Sequence, residues 1–388
     1  MKKSYLMLVA SAAIFAACSE TEKIQQNLQD NEPAAIGFTS YSQKATRGNT
    51  NEATNLEYYH NKFAVYGTKK NVNDATDIQY VFGGKATTAG TQEGVTCTYQ
   101  TTADAVLGDW KYDDPRFWDK QATYDFIAYA PAATANPIRY HYGAEKAEVG
   151  DAGSYFKTSS DYILTGTNIQ ATATQAEKIK GFNEAGNGDL DLMISDSEAQ
   201  NGNGHDTYVN LVFRHILSKL NITIGQAEAL YNSDVTIKEV KVTGLKDKGS
   251  YNEQNYNATA NPKVSGWTAG VDDNTYALHY TGNQVLDKGQ KVGDVFQAGN
   301  PYFFIESLVM PQTIADNQAT LTIKYNIASG TYNEDYTYTL DLYDLAALQK
   351  YYDGYNYYLN ITITPDVIKF DATATLWDNT TVVNQTVQ

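Results

Sequence analysis

Hydrophobic and polar residues alternate through most of the sequence, in short runs separated by residues that favour turns. In the middle of the chain the alternating hydrophobic residues first have odd and then even numbers: Val209, Leu211, Phe213, then Leu220, Ile222, Ile224. A regular strand keeps each parity on one face, so the chain must bulge, bend or turn within residues 214–219. A strand that changes sheets in this way is typical of a β-sandwich, in which two layers share one core.

The second half of the sequence continues this pattern. Strands are predicted at residues 235–242, 302–310, 319–327 and 332–340, the first of them with a bulge because its parity also changes. Leucines at helical spacing predict one short helix at 341–350. Short strands with Gly, Asn and Asp turns predict an all-β chain of two tandem antiparallel β-sandwich domains, transthyretin-like or Greek-key. A turn-rich run at 201–204 places the domains at residues 36–205 and 206–388.

The start of the chain predicts export. Two lysines precede a hydrophobic run, residues 6–17, that is too short to cross a bilayer, so residues 1–17 are typical of a secretory signal. Small residues before Cys18 resemble a lipobox, which implies cleavage between Ala17 and Cys18 and attachment of a diacylglycerol to the Cys18 thiol. Residues 18–35 would then be a lipidated spacer, flexible because most of them are polar. The alternative is plain secretion, with Cys18 incidental.

Composition restricts the possible partners. The chain has 29 Lys and Arg against 45 Asp and Glu, a formal net charge of −16. This balance argues against nucleic-acid binding and against electrostatic docking on anionic lipid. We find no catalytic, cofactor-binding or metal-binding pattern, and the acidic residues at 189–206 lack the spacing of an EF-hand calcium loop. Cys97 is the only other cysteine, and its strand-like neighbours predict a small buried hydrophobic residue.

Several blocks of sequence resemble the fimbrillin family, the lipoprotein pilins of Bacteroidota. The blocks are Leu211-x-Phe213-x-His215 followed by Leu217-Ser218-Lys219-Leu220-x-Ile222, an aromatic and acidic run at 110–131, Met310-Pro311-Gln312, and two closing strands that end at Trp377. A lone His at a strand bend is usually a structural hydrogen-bonding group, and no Ser or Cys nucleophile signature accompanies His215. We therefore predict a structural role for His215 and no enzymatic activity.

The resemblance implies a subunit of surface fimbriae that supports cell adhesion. An arginine-specific protease would cut between Arg47 and Gly48 and remove the first strand, which begins at Ile36. The first sheet would then have an open groove that accepts a strand from another pilin subunit, either a second copy or a related fimbrillin. The protein would be an outer-membrane lipoprotein as a precursor and part of the cell-surface fimbrium afterwards. The donor strand would come from the segment after Trp377, through Thr380, Thr381, Val382, Val383, Thr386 and Val387.

Two other functions fit parts of the sequence. A surface lipoprotein that binds glycans would use exposed rings of Trp110, Trp118 and nearby tyrosines, whereas a pilin would bury them. A glycosidase would need two carboxylates flanking a cleft, and no sequence feature pairs any two. The segment after Trp377 also has an alternative, a frayed terminus or an additional edge strand, although we favour the donor strand.

The mature N-terminus of the protein tests the predictions of lipidation and processing. In material recovered from the cell surface, mass spectrometry of the first peptide should find either acylated Cys18 or an unmodified chain starting at Gly48. The first result identifies the precursor and the second the processed subunit. A chain that starts elsewhere would contradict both the lipidation and the processing site.

Overall fold

The computed structural model describes residues 34–42, 60–84, 94–100, 110–144, 146–170, 189–202, 208–257, 259–260, 263–270, 277–286, 288, 290–292, 295–297, 303–377 and 384–386. Strands make up most of it, which confirms the all-β prediction. The first half contains β1 (Phe38–Ser42), β2 (Lys62–Asn71), β3 (Asp74–Phe82), β4 (Val95–Tyr99), β5 (Trp110–Lys111), β6 (Ala122–Ala130), β7 (Ile138–His141), β8 (Tyr155–Thr158), β9 (Tyr162–Ile163), β10 (Gly166–Gln170), β11 (Met193–Ser195), β12 (Glu198–Asn201) and β13 (Val209–His215).

The second half is organised in the same way. Its strands are β14 (Ser218–Gln226), β15 (Asp234–Thr243), β16 (Lys248–Tyr251), β17 (Trp267–Ala269), β18 (Ala277–Val285), β19 (Gln290–Val292), β20 (Val295–Gln297), β21 (Phe303–Val309), β22 (Thr320–Ser329), β23 (Tyr332–Asp341), β24 (Tyr355–Ile363), β25 (Ile368–Leu376) and β26 (Asn384–Thr386). Three-residue 3₁₀ helices occur at Glu228–Leu230, Glu253–Asn255, Leu342–Asp344 and Ala346–Leu348.

Three larger sheets form the architecture. The first has the strand order β1-β13-β11-β6-β2-β4-β5, with β12 beside β6 and β3 beside β2. The other two have the orders β10-β18-β15-β22-β23 and β21-β14-β24-β25-β26. Most neighbouring strands are antiparallel, as predicted, but the pairs β1/β13, β10/β18 and β14/β24 are parallel.

The chain passes from the first sheet to the third at Ile216 and Leu217, the crossover. Before it, β13 pairs with β1 and β11; after it, β14 pairs with β21 and β24. The structure therefore confirms the break in strand parity predicted within residues 214–219. The change of sheet falls after β13, which lies in the first sheet between β1 and β11. The division into domains at 205/206 stays a prediction.

Hydrogen bonds from three separate segments fix the crossover. The Ile216 N–H donates to the Leu192 carbonyl (2.9 Å), and the Gly354 N–H donates to the Leu217 carbonyl (2.9 Å). The Ile216 carbonyl also accepts from the indole N–H of Trp267. Both crossover residues are fully buried, so these contacts satisfy backbone groups that have no access to water.

Two local predictions have different outcomes. The predicted bulge in β15 is confirmed, since its register with both neighbours shifts between Ile237 and Glu239. The predicted short helix is wrong: residues 342–348 form two 3₁₀ turns separated by Leu345, which has an extended backbone. Three residues per turn place leucines spaced by three on one side, and Leu342, Leu345 and Leu348 are all buried.

Buried side chains cover both faces of the first sheet. One face contributes Phe63, Val65 and Phe126 to a set that we call the first-strand cluster. Its members are Ile36, Phe38, Phe63, Val65, Phe82, Cys97, Trp110, Trp118, Ala122, Tyr124, Phe126, Ala128, Ala130, Met193, Val209, Leu211 and Phe213. The opposite face, including Tyr66 and Tyr129, joins the larger core that continues into the second half of the chain.

The geometry at the crossover predicts that residue 354 must be a glycine. This residue has a left-handed backbone (φ +70°), and a Cβ there would lie 2.9 Å from the His215 carbonyl oxygen. Gly330 has a similar φ (+61°) but open space around it, so it is a matched control. A side chain in the left-handed region costs about 1–2 kcal/mol, and overpacking adds about 1–3 kcal/mol. Chemical denaturation should therefore show a larger loss of stability for Gly354→Ala than for Gly330→Ala, and equal losses would contradict this account.

Candidate functional site

The first strand fills a hydrophobic furrow on the first sheet. Ile36 and Phe38 are fully buried, whereas Gly37 between them and Thr39 after Phe38 are not. This alternation is the one that the sequence predicts for a strand with one buried face. The strand lies at the edge of the sheet, in parallel register with β13 from Phe38↔Val209 to Ser42↔Phe213.

Phe38 closes the first-strand cluster. Its ring centroid lies 5.3–6.0 Å from four other aromatic rings, those of Phe63, Phe82, Tyr112 and Phe126. In the strand order β1 is four positions from β2, which would separate them by about 19 Å in a flat sheet with 4.8 Å between strands. The sheet must therefore curl until Phe38 reaches the rings of β2, β3 and β6.

The segment before β1 is held on its other side by residues 112–118. The Ile36 N–H donates to the Arg116 carbonyl (2.8 Å), and the Tyr112 hydroxyl donates to the Ile36 carbonyl (2.7 Å). The Trp118 N–H donates to the Ala34 carbonyl (3.0 Å). Residues 34–36 thus form hydrogen bonds with residues 112–118, and the strand that follows them pairs with β13.

Arg116 also packs against the aromatic rings of this region. Its guanidinium carbon lies 5.4 Å from the ring centroid of Phe82 and 5.8 Å from that of Tyr112. Its Nε donates to the Val81 carbonyl (3.2 Å). Burial raises the pKa of the Tyr112 phenol, which keeps the hydroxyl protonated as the donor to Ile36. The sequence had shown this run only as aromatic and acidic, and nothing in its periodicity indicated a contact with the first strand.

Gly37 passes beneath an aromatic ring. A Cβ at this position would lie 2.5 Å from a ring carbon of Tyr208, closer than any real contact. The Gly37 carbonyl accepts from the Val209 N–H (2.8 Å). The first strand therefore combines two large buried side chains with a residue that has no side chain between them.

Trp110 and Trp118 do not form an exposed platform. Both are almost fully buried in the first-strand cluster. The Trp110 ring lies 4.7 Å from Phe63, and the Trp118 ring lies 4.9 Å from Tyr124. A sugar could not stack on these buried rings, so Trp110 and Trp118 cannot form the glycan-binding surface that the alternative function requires.

Cys97 lies in the same cluster. It is opposite Phe63 in the β2/β4 pairing and is fully buried as a free thiol. Burial strongly raises the pKa of the thiol, so Cys97 is unreactive in the intact protein. This confirms the prediction of a small buried hydrophobic residue.

His215 connects the two halves of the chain. Its Nδ1 lies 2.8 Å from Oδ2 of Asp191, and both side chains are buried. Its ring stacks on Trp377 with a centroid distance of 4.0 Å and an interplanar angle of 7°. Asp191 precedes β11, His215 ends β13 and Trp377 follows β25, so the stack fixes the end of the last long strand beside the crossover. His215 is thus packed structurally, as the sequence analysis predicted.

The segment after Trp377 is described only at β26. These three residues pair with β25 in the antiparallel registers Asp371↔Thr386, Ala372↔Gln385 and Thr373↔Asn384. Of the predicted donor residues, Thr386 lies in this strand, and the other five lie outside the described residues. The pairing matches the edge-strand alternative for this segment. Ala17, Cys18, Arg47 and Gly48 also lie outside the described residues, so lipidation and processing stay predictions.

Within the described ranges, no three His, Cys, Asp or Glu side chains cluster in a way that could hold a metal ion. In the same part of the chain, none of the helices has the length and hydrophobicity needed to span a membrane.

Comparison with known proteins agrees with the resemblance seen in the sequence. A family model described as fimbrillin-like matches residues 61–377. The chain belongs to the fimbrillin-like family. The match begins just before β2 and ends at Trp377, so it includes the first-strand cluster apart from the first strand itself. No curated protein matches the chain.

The chain also matches solved structures from Bacteroides and Parabacteroides species. A candidate cell adhesion protein from Bacteroides uniformis is 14% identical, with a TM-score of 0.44, covering 88% of this chain and 98% of that one. A similar candidate from Bacteroides ovatus is 12% identical, with a TM-score of 0.42 and coverages of 92% and 100%. A fimbrial assembly protein from Parabacteroides distasonis is 10% identical, with a TM-score of 0.36 and coverages of 91% and 99%.

Because Phe38 fills the furrow, we expect that loss of its side chain strongly destabilises the protein. Removal of a buried Phe side chain costs about 3–5 kcal/mol, so Phe38→Ala should lower the free energy of unfolding by about that amount. Thr39→Ala in the same strand should cost less than about 1 kcal/mol, because the Thr39 side chain is only partly buried and its hydrogen bond to Asn210 is exposed. Urea denaturation of both variants tests this difference. Similar values for the two variants would mean that β1 does not cover the furrow.

Proposed function

We propose that this protein is a structural subunit of surface fimbriae that polymerises by exchange of β-strands and supports cell adhesion. The precursor is an outer-membrane lipoprotein anchored through Cys18. An arginine-specific protease then cuts between Arg47 and Gly48, which separates the first strand from the rest of the chain. Membership of the fimbrillin-like family supports the fimbrial role.

The position of β1 is the observation that carries this proposal. It is an edge strand, its side chains close a hydrophobic cluster, and the segment that contains Arg47 follows directly after it. Cutting that segment leaves β1 held only by non-covalent contacts. Its departure would expose the rings of Phe63, Phe82 and Phe126 and leave the outer edge of β13 unpaired, and an extended strand from another subunit can satisfy both.

The other end of the chain offers a strand that is weakly held. Nine residue pairs join β24 to β25, whereas three join β25 to β26 among the residues that the structure describes. The His215–Trp377 stack fixes the chain just before this segment. Detachment of β26 therefore disturbs a short ladder only, and the sandwich behind it keeps its strands. This supports the segment from Thr380 to Val387 as a donor to the next pilin subunit.

Site-directed variants at the processing site test the assembly. Treatment of the purified precursor with an arginine-specific protease should cut after Arg47 and give a ladder of oligomers that resists SDS, as seen by gel electrophoresis. Arg47→Ala should remain monomeric because it is not cut. Arg47→Lys should resist the arginine-specific protease but form the ladder after trypsin, which separates cleavage from any other role of the arginine.

Deletion of residues 380–388 tests the donor segment in the same experiment. This variant should be cut normally after Arg47 and yet fail to form the ladder, because the donor is missing. A precursor that is cut cleanly but stays monomeric would overturn the strand-exchange mechanism. A ladder that forms equally well without residues 380–388 would overturn the assignment of the donor.

A further inference from the structure

Trp377 is held on both faces by residues on either side of the crossover. The His215 ring, at the end of β13, stacks on the indole with a centroid distance of 4.0 Å. The Lys219 ammonium, near the start of β14, lies 4.7 Å from the ring centroid of Trp377. Because the coplanar His215 ring covers one face, the ammonium must lie over the other, where the negative face of the ring attracts a cation. The indole is buried, so it fills the space between the two strand ends.

The backbone of Trp377 is attached to the crossover as well. Its N–H donates to the Gly354 carbonyl (2.7 Å), and its carbonyl accepts from the side-chain amide of Asn356 (3.0 Å). The Gly354 N–H itself donates to the Leu217 carbonyl (2.9 Å). The side chain and the backbone of Trp377 are thus both anchored, and the segment that follows begins at a fixed point.

His215 links this contact to the first sheet. Its Nδ1 lies 2.8 Å from Oδ2 of Asp191, with both side chains buried, and the Asp191 carbonyl oxygen lies 2.8 Å from Nε2 of His60. Separating buried polar partners is unfavourable because no water replaces the lost contact. We call Trp377, His215, Lys219 and Asp191 the Trp377 clamp.

The Trp377 clamp lies between the two places where neighbouring subunits would pull. This inference rests on the proposed function, in which one neighbour's strand replaces β1 beside β13 and the donor segment leaves after Trp377. The β1/β13 register ends at Phe213, two residues before His215. The path through the clamp is therefore a few residues of β13 and one ring stack, whereas the covalent path between the same points runs through residues 218–376.

Without the Trp377 clamp, tension would act on the end of the last long ladder. The pair nearest to Trp377 is Tyr355↔Leu376, at the end of the β24/β25 pairing. A ladder pulled from its end is loaded one residue pair at a time, and the net stabilisation from a single backbone hydrogen bond is small. Strand β25 would then peel from β24, whereas the clamp resists through several buried contacts together.

We propose that the Trp377 clamp is the load-bearing joint of the subunit. Tension in a fimbria passes from the donor segment through the indole into His215 and β13, and from there into the strand held in the groove. Residues 218–376, with most strands of the second and third sheets, lie outside this path. That half of the subunit therefore keeps its fold and its exposed surfaces while the fimbria is stretched.

Single-molecule force spectroscopy of the uncut protein tests this joint. One handle is attached to a cysteine at an exposed position of β13, Asn210→Cys, and the other to the C-terminus of a chain that starts at residue 19. Cys97 is fully buried and does not react with the handle. The first half of the chain lies outside the handles, so its unfolding adds no length. Release of residues 218–376 adds roughly 50 nm, at about 3.3–3.6 Å per residue.

Variants of the Trp377 clamp are compared with a variant elsewhere in the same half of the chain. Trp377→Leu removes the stack, Lys219→Met removes only the cation, and Ile237→Ala removes a fully buried side chain of β15. Urea denaturation first gives the free energy of unfolding of each variant. The force that releases residues 218–376 should fall at least about twofold for Trp377→Leu, because forced unfolding is governed by the barrier at the loaded contacts. Lys219→Met should give an intermediate force, and Ile237→Ala should leave the force close to that of the parent chain despite its loss of stability.

Two results would overturn the proposal. If the force falls in proportion to the lost stability in all three variants, the whole sandwich shares the load and the clamp does not carry it. If Trp377→Leu fails to fold, Lys219→Met decides the question, and a force equal to that of the parent chain contradicts the clamp.

These outcomes are separate from those that test the proposed function, because β1 stays in place and the chain is not cut. A strong clamp in a subunit that stays monomeric after cleavage at Arg47 would refute strand exchange and leave the joint as a property of the single subunit. A weak clamp in a subunit that forms the ladder would refute the joint alone.

Discussion

The crossover at Ile216 and Leu217 is the constraint on which the rest of the structure depends. It forces one continuous stretch of chain to supply the partner of the first strand and, only a few residues later, a central strand of another sheet. Hydrogen bonds from Leu192, Trp267 and Gly354 converge on these two residues, and His215 beside them stacks on Trp377. The furrow for β1 and the exit of the terminal segment are therefore both positioned by the same short piece of backbone.

In this arrangement β1 is held more firmly in its sheet than β26 is in its own. The first strand is buried on one face and pairs with β13, and residues 34–36 just before it bond to residues 112–118. By contrast, β26 pairs through three residues at the edge of a sheet. In the proposed assembly, the precursor would remain monomeric because β1 fills the groove, and the terminal segment would leave its sheet at a small energetic cost. Proteolysis after Arg47 would then be the switch in the proposed assembly.

Much of the fold could be predicted from alternation, because strand parity is a local property of sequence. The parity changes at Phe213–Leu220 and in β15 both correspond to real breaks, and His215 is structural as expected. The helix at 341–350 was mispredicted because a spacing of three fits a 3₁₀ turn as well as an α-helix. The contacts that define the site were not predictable in this way. Tyr112, Arg116 and Tyr208 reach the first strand from distant parts of the chain, and long-range pairing leaves no periodic signal in any of them.

Cys97 has a further consequence for the fate of an opened subunit. It lies opposite Phe63, which itself contacts Phe38, so the same hydrophobic cover that includes β1 keeps water and oxidants from the sulfur atom. A vacant groove would bring the thiol nearer to solvent, and oxidation to a sulfenic or sulfinic acid would place a polar group among aromatic rings. An unfilled subunit would then age chemically and lose its capacity to accept a strand. In the proposed assembly, a strand that fills the groove would keep the Cys97 thiol buried and would protect the subunit from this change.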